Sequence, residues 1–201
     1  MKIGIVSDIH GNLAGLDVAL AVMGPVDRLI CPGDAFDEYS FSNEVVGRLR
    51  ELDVEYVLGN HEDMFFSKAG ERARSRPGID PQLMAWAVER PHQLDMDFDG
   101  KRLKLFHSTP WEPYGDYIFP HMASDLSRFC ELDADYVVYG HTHAPLSLRA
   151  SGTLLINPGS AGHARDERNG RKLSCCVLDT VSDEAVLMDY EDPRLTVSQP
   201  A

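Results

Sequence analysis

Three things are scarce in this sequence, and each scarcity removes a class of function. No uninterrupted apolar run comes near the ~20 residues needed to cross a bilayer, so no membrane span is expected. Cysteine is limited to Cys31, Cys130, Cys175 and Cys176, with no C-x-x-C spacing. Neighbouring residues of a strand face opposite ways, so the four cysteines read as small buried hydrophobes in a reducing compartment, not as a disulfide frame or a structural zinc site. Basic charge is short: 19 Lys plus Arg stand against 32 Asp plus Glu, a formal net charge of -13. Such a balance disfavours non-specific attraction to nucleic acid or anionic lipid, which needs a basic footprint. Lys2 is followed closely by Asp8 and His10, so the start lacks the apolar core of a signal peptide, and a cytoplasmic location is expected. Repeats, low-complexity tracts and long linkers are missing as well. The 201 residues, 43% hydrophobic, therefore predict one domain over 1–201 with one substantial core.

What is present is a recurring pairing of apolar strand and polar loop. Ile3, Ile5 and Val6 predict a buried strand that runs into Asp8-Ile9-His10-Gly11-Asn12. Asn12 suits an N-cap, and Leu13, Leu16, Leu20 and Met23 fall on one helical face until Gly24-Pro25 stops the helix. A second strand over 28–31 ends at Pro32-Gly33-Asp34. A helix over 42–52, with Ser42 as its cap, leads to a strand over 54–58 and then to a loop, Gly59-Asn60-His61-Glu62. This alternation predicts a parallel sheet with crossover helices, whose strand-end loops gather along one edge.

From 63 to 91 the pattern loosens, apart from a helix over 81–90. Lys68, Arg72, Arg74 and Arg76 make a basic run that reads as a solvated connection, with a phosphate-attracting lip as the alternative. Strands over 94–98 and 102–106 flank Asp99-Gly100, a hairpin signal, and the second runs into His107. A helix over 120–129 precedes a strand over 135–139 that ends at Gly140-His141-Thr142-His143. Strands over 146–148, 153–156, 173–178 and 185–188 close a second sheet.

The strand-end loops thus supply Asp8, His10, Asp34, Asn60, His61, His107, His141 and His143. Nitrogen and oxygen donors without thiolate suit zinc, manganese, iron, nickel or cobalt. They exceed what one ion needs. Two ions sharing a bridging carboxylate would use them economically, and such a pair suits in-line displacement at phosphorus.

Asp-x-His, Gly-Asp, Gly-Asn-His-Glu, a lone His after a strand and Gly-His-x-His, in this order from Asp8 to His143, resemble the calcineurin-like metallophosphoesterase superfamily. The chain is most similar to the small bacterial and archaeal phosphodiesterases of that superfamily without a large cap, and Asn157-Pro158-Gly159-Ser160 is similar to a further signature of that branch. The resemblance implies a four-layer α/β/β/α sandwich of two mixed sheets and hydrolysis of a small-molecule phosphoester, a diester before a monoester. It implies two divalent ions, drawn from Mn, Ni, Fe, Zn or Mg. Asp8, His10 and His143 would hold the first, Asn60, His107 and His141 the second, and Asp34 would bridge them. His61 would face the scissile group and protonate the leaving oxygen, with Glu62 orienting it. Substrate-binding residues are not identified, and association into homo-oligomers stays open. A phosphomonoesterase acting on nucleotides or other small molecules, or a protein-binding scaffold of the same fold, are the alternatives.

Ser108 after His107, Ala164 before Arg165, and Ala35-Phe36-Asp37 after Asp34 depart from the family pattern, and all bear on substrate placement. His92, His121 and His163 read as loop residues, and Arg165, Arg168 and Arg171 as solvated charges.

Overall fold

Alternation of apolar residues along the strands decides how the layers stack. The computed structural model describes residues 1–112 and 115–196. In chain order its elements are β1 (Lys2–Ile5), α1 (Leu13–Met23), β2 (Arg28–Cys31), α2 (Asn43–Glu51), β3 (Glu55–Tyr56), α3 (Asn60–Phe66), α4 (Glu71–Arg74) and α5 (Pro81–Val88). They continue with β4 (Gln93–Phe98), β5 (Lys101–Phe106), α6 (Ala123–Phe129), β6 (Tyr136–Val138), β7 (Leu146–Ala150), β8 (Thr153–Asn157), β9 (Leu173–Asp179), β10 (Glu184–Tyr190) and α7 (Pro193–Thr196).

The strands form two five-stranded sheets, ordered β10-β9-β1-β2-β3 and β4-β5-β6-β8-β7. Both are mixed. The strands β1, β2 and β3 are parallel, as are β5, β6 and β8, while β9, β10, β4 and β7 pair antiparallel at the flanks. Between the sheets, Ile3, Ile5, Ile30, Cys176 and Leu178 meet Leu103, Leu105, Tyr136, Val138, Leu154 and Ile156. Residues one step along point the other way. Leu29, Cys31, Leu173 and Cys175 join Leu16, Ala19, Val45, Val46 and Leu49 of α1 and α2, whereas Phe106, Val137 and Leu155 join Leu126 and Phe129 of α6. The result is the helix, sheet, sheet, helix sandwich. Each fully buried aliphatic or aromatic side chain contributes roughly 1.5–3 kcal/mol to holding these layers together.

The expected caps are in place. Asn12 accepts the N–H of Gly15 at 3.0 Å and Ser42 that of Val45 at 3.2 Å, satisfying donors at the starts of α1 and α2. All four cysteines are free, and Cys175 and Cys176 do face opposite layers. No helix among the described residues is long and apolar enough to cross a membrane.

Four sequence expectations need correction. The strands over 173–178 and 185–188 do not close the second sheet: as β9 and β10 they extend the first, β9 pairing antiparallel with β1 and β10 with β9. The strand over 54–58 shrinks to β3, because Leu58 turns its N–H away from the sheet to the carbonyl of Pro91 at 2.9 Å. The helix over 120–129 starts only at Ala123, after a turn in which Met122 donates to Phe119 O at 2.9 Å. The loosened stretch is mostly helical, and Gly59-Asn60-His61-Glu62 is the start of α3, not a loop. Arg74 of the basic run donates to the carbonyls of Phe65 and Ser67, closing off the end of α3.

Candidate metal centre

The parallel strands β1, β2, β3, β5 and β6 deliver their following residues to one edge. There the backbone does something costly. Asp8, His10, Asp34, His141 and His143 all adopt positive φ, at 50°, 48°, 54°, 67° and 55°. Side chains in this left-handed region cost free energy of order 1–3 kcal/mol each and persist only where the surroundings hold them. Hydrogen bonds between the loops do the holding: Asp8 N–H donates to Gly33 O at 3.1 Å, His10 N–H to Asp34 O at 3.0 Å, and His141 N–H to Asp8 Oδ2 at 3.1 Å. Ser160 of the Asn157-Pro158-Gly159-Ser160 turn donates its hydroxyl to Asp8 O at 2.7 Å, tying that turn to the first loop.

The side chains so placed form two groups that meet at one oxygen. In the first, His10 Nε2 lies 3.2 Å from His143 Nε2, which lies 3.3 Å from Asp8 Oδ1. In the second, His107 Nε2 is 2.9 Å from Asn60 Oδ1 and 3.1 Å from His141 Nδ1. Asp34 Oδ2 is 4.0 Å from His10 Nε2 and 3.3 Å from His107 Nε2, so it faces both.

The outer nitrogens of three of the rings are already engaged. His107 Nδ1 is 2.8 Å from Pro32 O, His143 Nδ1 is 3.2 Å from His163 O, and His10 Nδ1 is 2.9 Å from Asp37 Oδ1. Carbonyl and carboxylate acceptors place a proton on Nδ1 and leave the Nε2 lone pair facing inward, the arrangement that orients metal-ligating histidines. The 3.2 Å contact between His10 Nε2 and His143 Nε2 needs either a shared proton or a cation between the two rings. Asp8 Oδ1 and His141 Nε2 are buried and make no hydrogen bond. Such orphaned donors and acceptors, all nitrogen and oxygen, fit divalent ions.

The electrostatics agree. Burial opposes the charge on Asp8, but His143 and His107 outweigh it and hold its pKa down to about 2. Asp34 is equally buried, and His107, His61 and His10 keep it well below the usual carboxylate range. His107 is pushed up to about 9, the Asp34 carboxylate prevailing over burial, whereas burial and the neighbouring His107 bring His141 down to about 4. The centre is thus built around two ionised carboxylates within a ring of imidazoles.

A family model described as the calcineurin-like phosphoesterase superfamily domain matches residues 1–183. The chain belongs to that superfamily. It is 28% identical over 94% of its length to an uncharacterized protein of Methanocaldococcus jannaschii, 88% of which is covered. Among solved structures it resembles a metallophosphoesterase from Sphaerobacter thermophilus, with a TM-score of 0.79 at 23% identity, covering 98% of this chain and 91% of that one. A novel archaeal phosphodiesterase also shares the fold, with a TM-score of 0.61 at 22% identity over 94% of this chain and all (100%) of that one.

One acidic residue of the chain serves another purpose than the sequence suggests. Glu62 does not orient His61. Its buried carboxylate accepts the backbone N–H groups of Asp34 at 3.0 Å, Ala35 at 2.7 Å, Phe36 at 3.4 Å and Gly59 at 2.8 Å, so it holds the Asp34 loop. The acid beside His61 is Glu38, whose Oε2 lies 2.7 Å from Nδ1. His61 Nε2 remains at the rim of the centre, 3.8 Å from Asp34 Oδ2.

His163 is the residue that sequence reasoning missed. Its ring stacks on that of His10 at 4.2 Å between centroids and 7° between planes, and its N–H donates to Ser160 Oγ at 2.7 Å. It forms a ligand-sized group with His10 and His143. Its place three residues after the Asn157-Pro158-Gly159-Ser160 turn was the available signal. Arg168 and Arg171 pair with Asp166 and Glu167 of their own loop.

Proposed function

We propose that this protein is a metal-dependent phosphodiesterase with a dinuclear centre. In this reading Asp8, His10 and His143 hold one divalent ion, Asn60, His107 and His141 hold the other, and Asp34 serves both. The observation that supports it most is the position of Asp34 Oδ2 between the two donor groups, 4.0 Å from His10 Nε2 and 3.3 Å from His107 Nε2. Bound there, divalent ions offset the negative charge of the phosphoester and bring the pKa of a coordinated water toward ~7.

The protein's own residues supply the rest. His61 stands at the rim within reach of a group entering the centre, and protonates the leaving oxygen. Glu38, whose Oε2 lies 2.7 Å from its Nδ1, fixes the direction of the ring. Glu62 keeps Asp34 in its left-handed turn from below. The preference for a diester draws on likeness to the small members without a cap. The substrate is a small-molecule phosphoester, and a reducing cytoplasm suits the four free cysteines.

The test is reconstitution of metal-free protein separately with manganese, nickel, zinc and magnesium, assayed on matched phosphomonoesters and phosphodiesters. Turnover of diesters at two ions per chain is expected. Turnover of monoesters alone would make the protein a phosphomonoesterase, and full metal content without turnover of any phosphoester would leave a binding scaffold.

A further inference from the structure

Beside His141 the surface opens into a cleft of ≈ 360 Å³ that the hydrolytic groups do not use. One wall is a run of alternate aromatic side chains. The ring of Tyr117 lies 3.9 Å from that of His141 at 31°, Phe119 lies 6.1 Å from Tyr117 at 14°, and His121 lies 5.8 Å from Phe119 at 14°. Tyr117 is nonetheless 52% exposed, so a large flat face stands open next to a donor of the centre.

The opposite wall comes from the loop after Ala164. Its two arginines differ. Arg168 is committed to Asp166 and to Pro145 O, whereas Arg165 has no carboxylate partner among the described residues and lies 3.4 Å from His163 Nδ1. His163 in turn stacks on His10, so Arg165 lines the cleft and touches the ring that packs against the centre. Flat rings on one side and one uncompensated cation on the other match a phosphoryl group bearing an aromatic substituent.

A second cavity of ≈ 360 Å³ touches the centre, lined by His61, Glu38, Tyr39 and Met64. If His61 protonates the leaving oxygen, the leaving group departs on that side. The substituent retained on phosphorus then points to the His141 side. We infer that the Tyr117 cleft is the subsite for this retained group and selects a flat, base-bearing one, a nucleoside phosphodiester being the substrate class, with Arg165 on a phosphoryl oxygen. The inference rests on the phosphodiesterase reading and names the substrate for it.

Two diesters with the same 4-nitrophenolate leaving group isolate the subsite, thymidine 5′-(4-nitrophenyl) phosphate and methyl 4-nitrophenyl phosphate. With the metal-reconstituted chain, kcat/KM for the thymidine ester should exceed that for the methyl ester about 10-fold or more, the size of one stacking contact. Tyr117→Ala or Phe119→Ala should collapse this ratio through KM, and Tyr117→Phe should keep it. Equal kcat/KM for the two esters, or a ratio that neither alanine changes, overturns the subsite. Calorimetric titration with thymidine 5′-monophosphate and methyl phosphate decides the matter without turnover. Tighter binding of the nucleotide that Tyr117→Ala abolishes supports the subsite even if neither ester is hydrolysed, an outcome that would sink only the hydrolytic reading, and equal affinities reject it.

Discussion

Glu62 lies beneath Asp34 and grips it through the main chain. One oxygen accepts the N–H of Asp34 at 3.0 Å and of Gly59 at 2.8 Å, the other that of Ala35 at 2.7 Å, while Asp34 Oδ1 accepts the N–H of His61 at 3.0 Å. Two loops of the centre are thereby locked to each other. Glu62→Gln replaces one acceptor with an amide that can only donate, leaving buried N–H groups unmet at roughly 1–3 kcal/mol each. Denaturant unfolding of the metal-free variant should show a loss of about 2–4 kcal/mol. An unchanged midpoint would mean that the loop does not depend on this carboxylate.

Gly59→Ala tests the same joint from the other side. A Cβ at this position would meet Asp34 Oδ1 at 2.2 Å and Asp34 N at 2.7 Å, both well inside contact distance. The Asp34 carboxylate must move. The variant should fold with reduced stability and bind fewer than two equivalents of metal. Two equivalents by elemental analysis, with full thermal stability, would contradict the tight approach.

His61→Ala should keep metal content and lose roughly 10²–10⁴ in kcat on an activated aryl phosphodiester, the usual worth of a positioned general acid or base. Glu38→Gln, acting through His61, should cost about 10–100-fold, the usual effect of removing an orienting partner. A Glu38→Gln enzyme with the parental kcat would return the orienting role to another residue.

Metal uptake should depend on pH through His107. Its pKa in the metal-free protein is raised to about 9, against burial, by the Asp34 carboxylate 3.3 Å away. The ring must shed that proton to offer Nε2, so affinity rises with pH up to about 9 and falls as much as tenfold per unit below it. The sign for folding is opposite. A pKa raised from 6.5 to about 9 gives the metal-free fold stability that is complete below 6.5 and lost as pH climbs through 9. Calorimetry in buffers of differing ionisation enthalpy should detect about one proton or more released per chain at pH 7. Uptake without proton release would refute the assignment of His107.

Legibility followed the range of the physics. Leu13, Leu16 and Met23 of α1, the Asp99-Gly100 hairpin and the opposite-facing Cys175 and Cys176 follow from residue spacing, and the structure has each where expected. The convergence of Asp8, His10, Asp34, Asn60, His107, His141 and His143 also follows, since parallel strands send their following loops to one edge. Where the chain leaves a sheet did not follow. Leu58 gives up a strand position for the carbonyl of Pro91, a partner more than thirty residues away.

The amino-acid sequence by itself determined most of the strands and helices and the chemistry of the donors, because hydrophobic period and side-chain type are properties of short stretches. Which sheet β9 and β10 join was decided by pairing with β1 across the chain. Only the tertiary structure decided which acid serves which group. Glu62 stands next to His61 in the chain, yet the first turn of α3 directs it under Asp34, and the left-handed turn at Asp34 brings Glu38 to His61 instead. The same holds for His163, drawn onto His10 by the bond from Ser160 to Asp8. Contacts of that kind depend on the path of loops joined through space, and no local pattern encodes them.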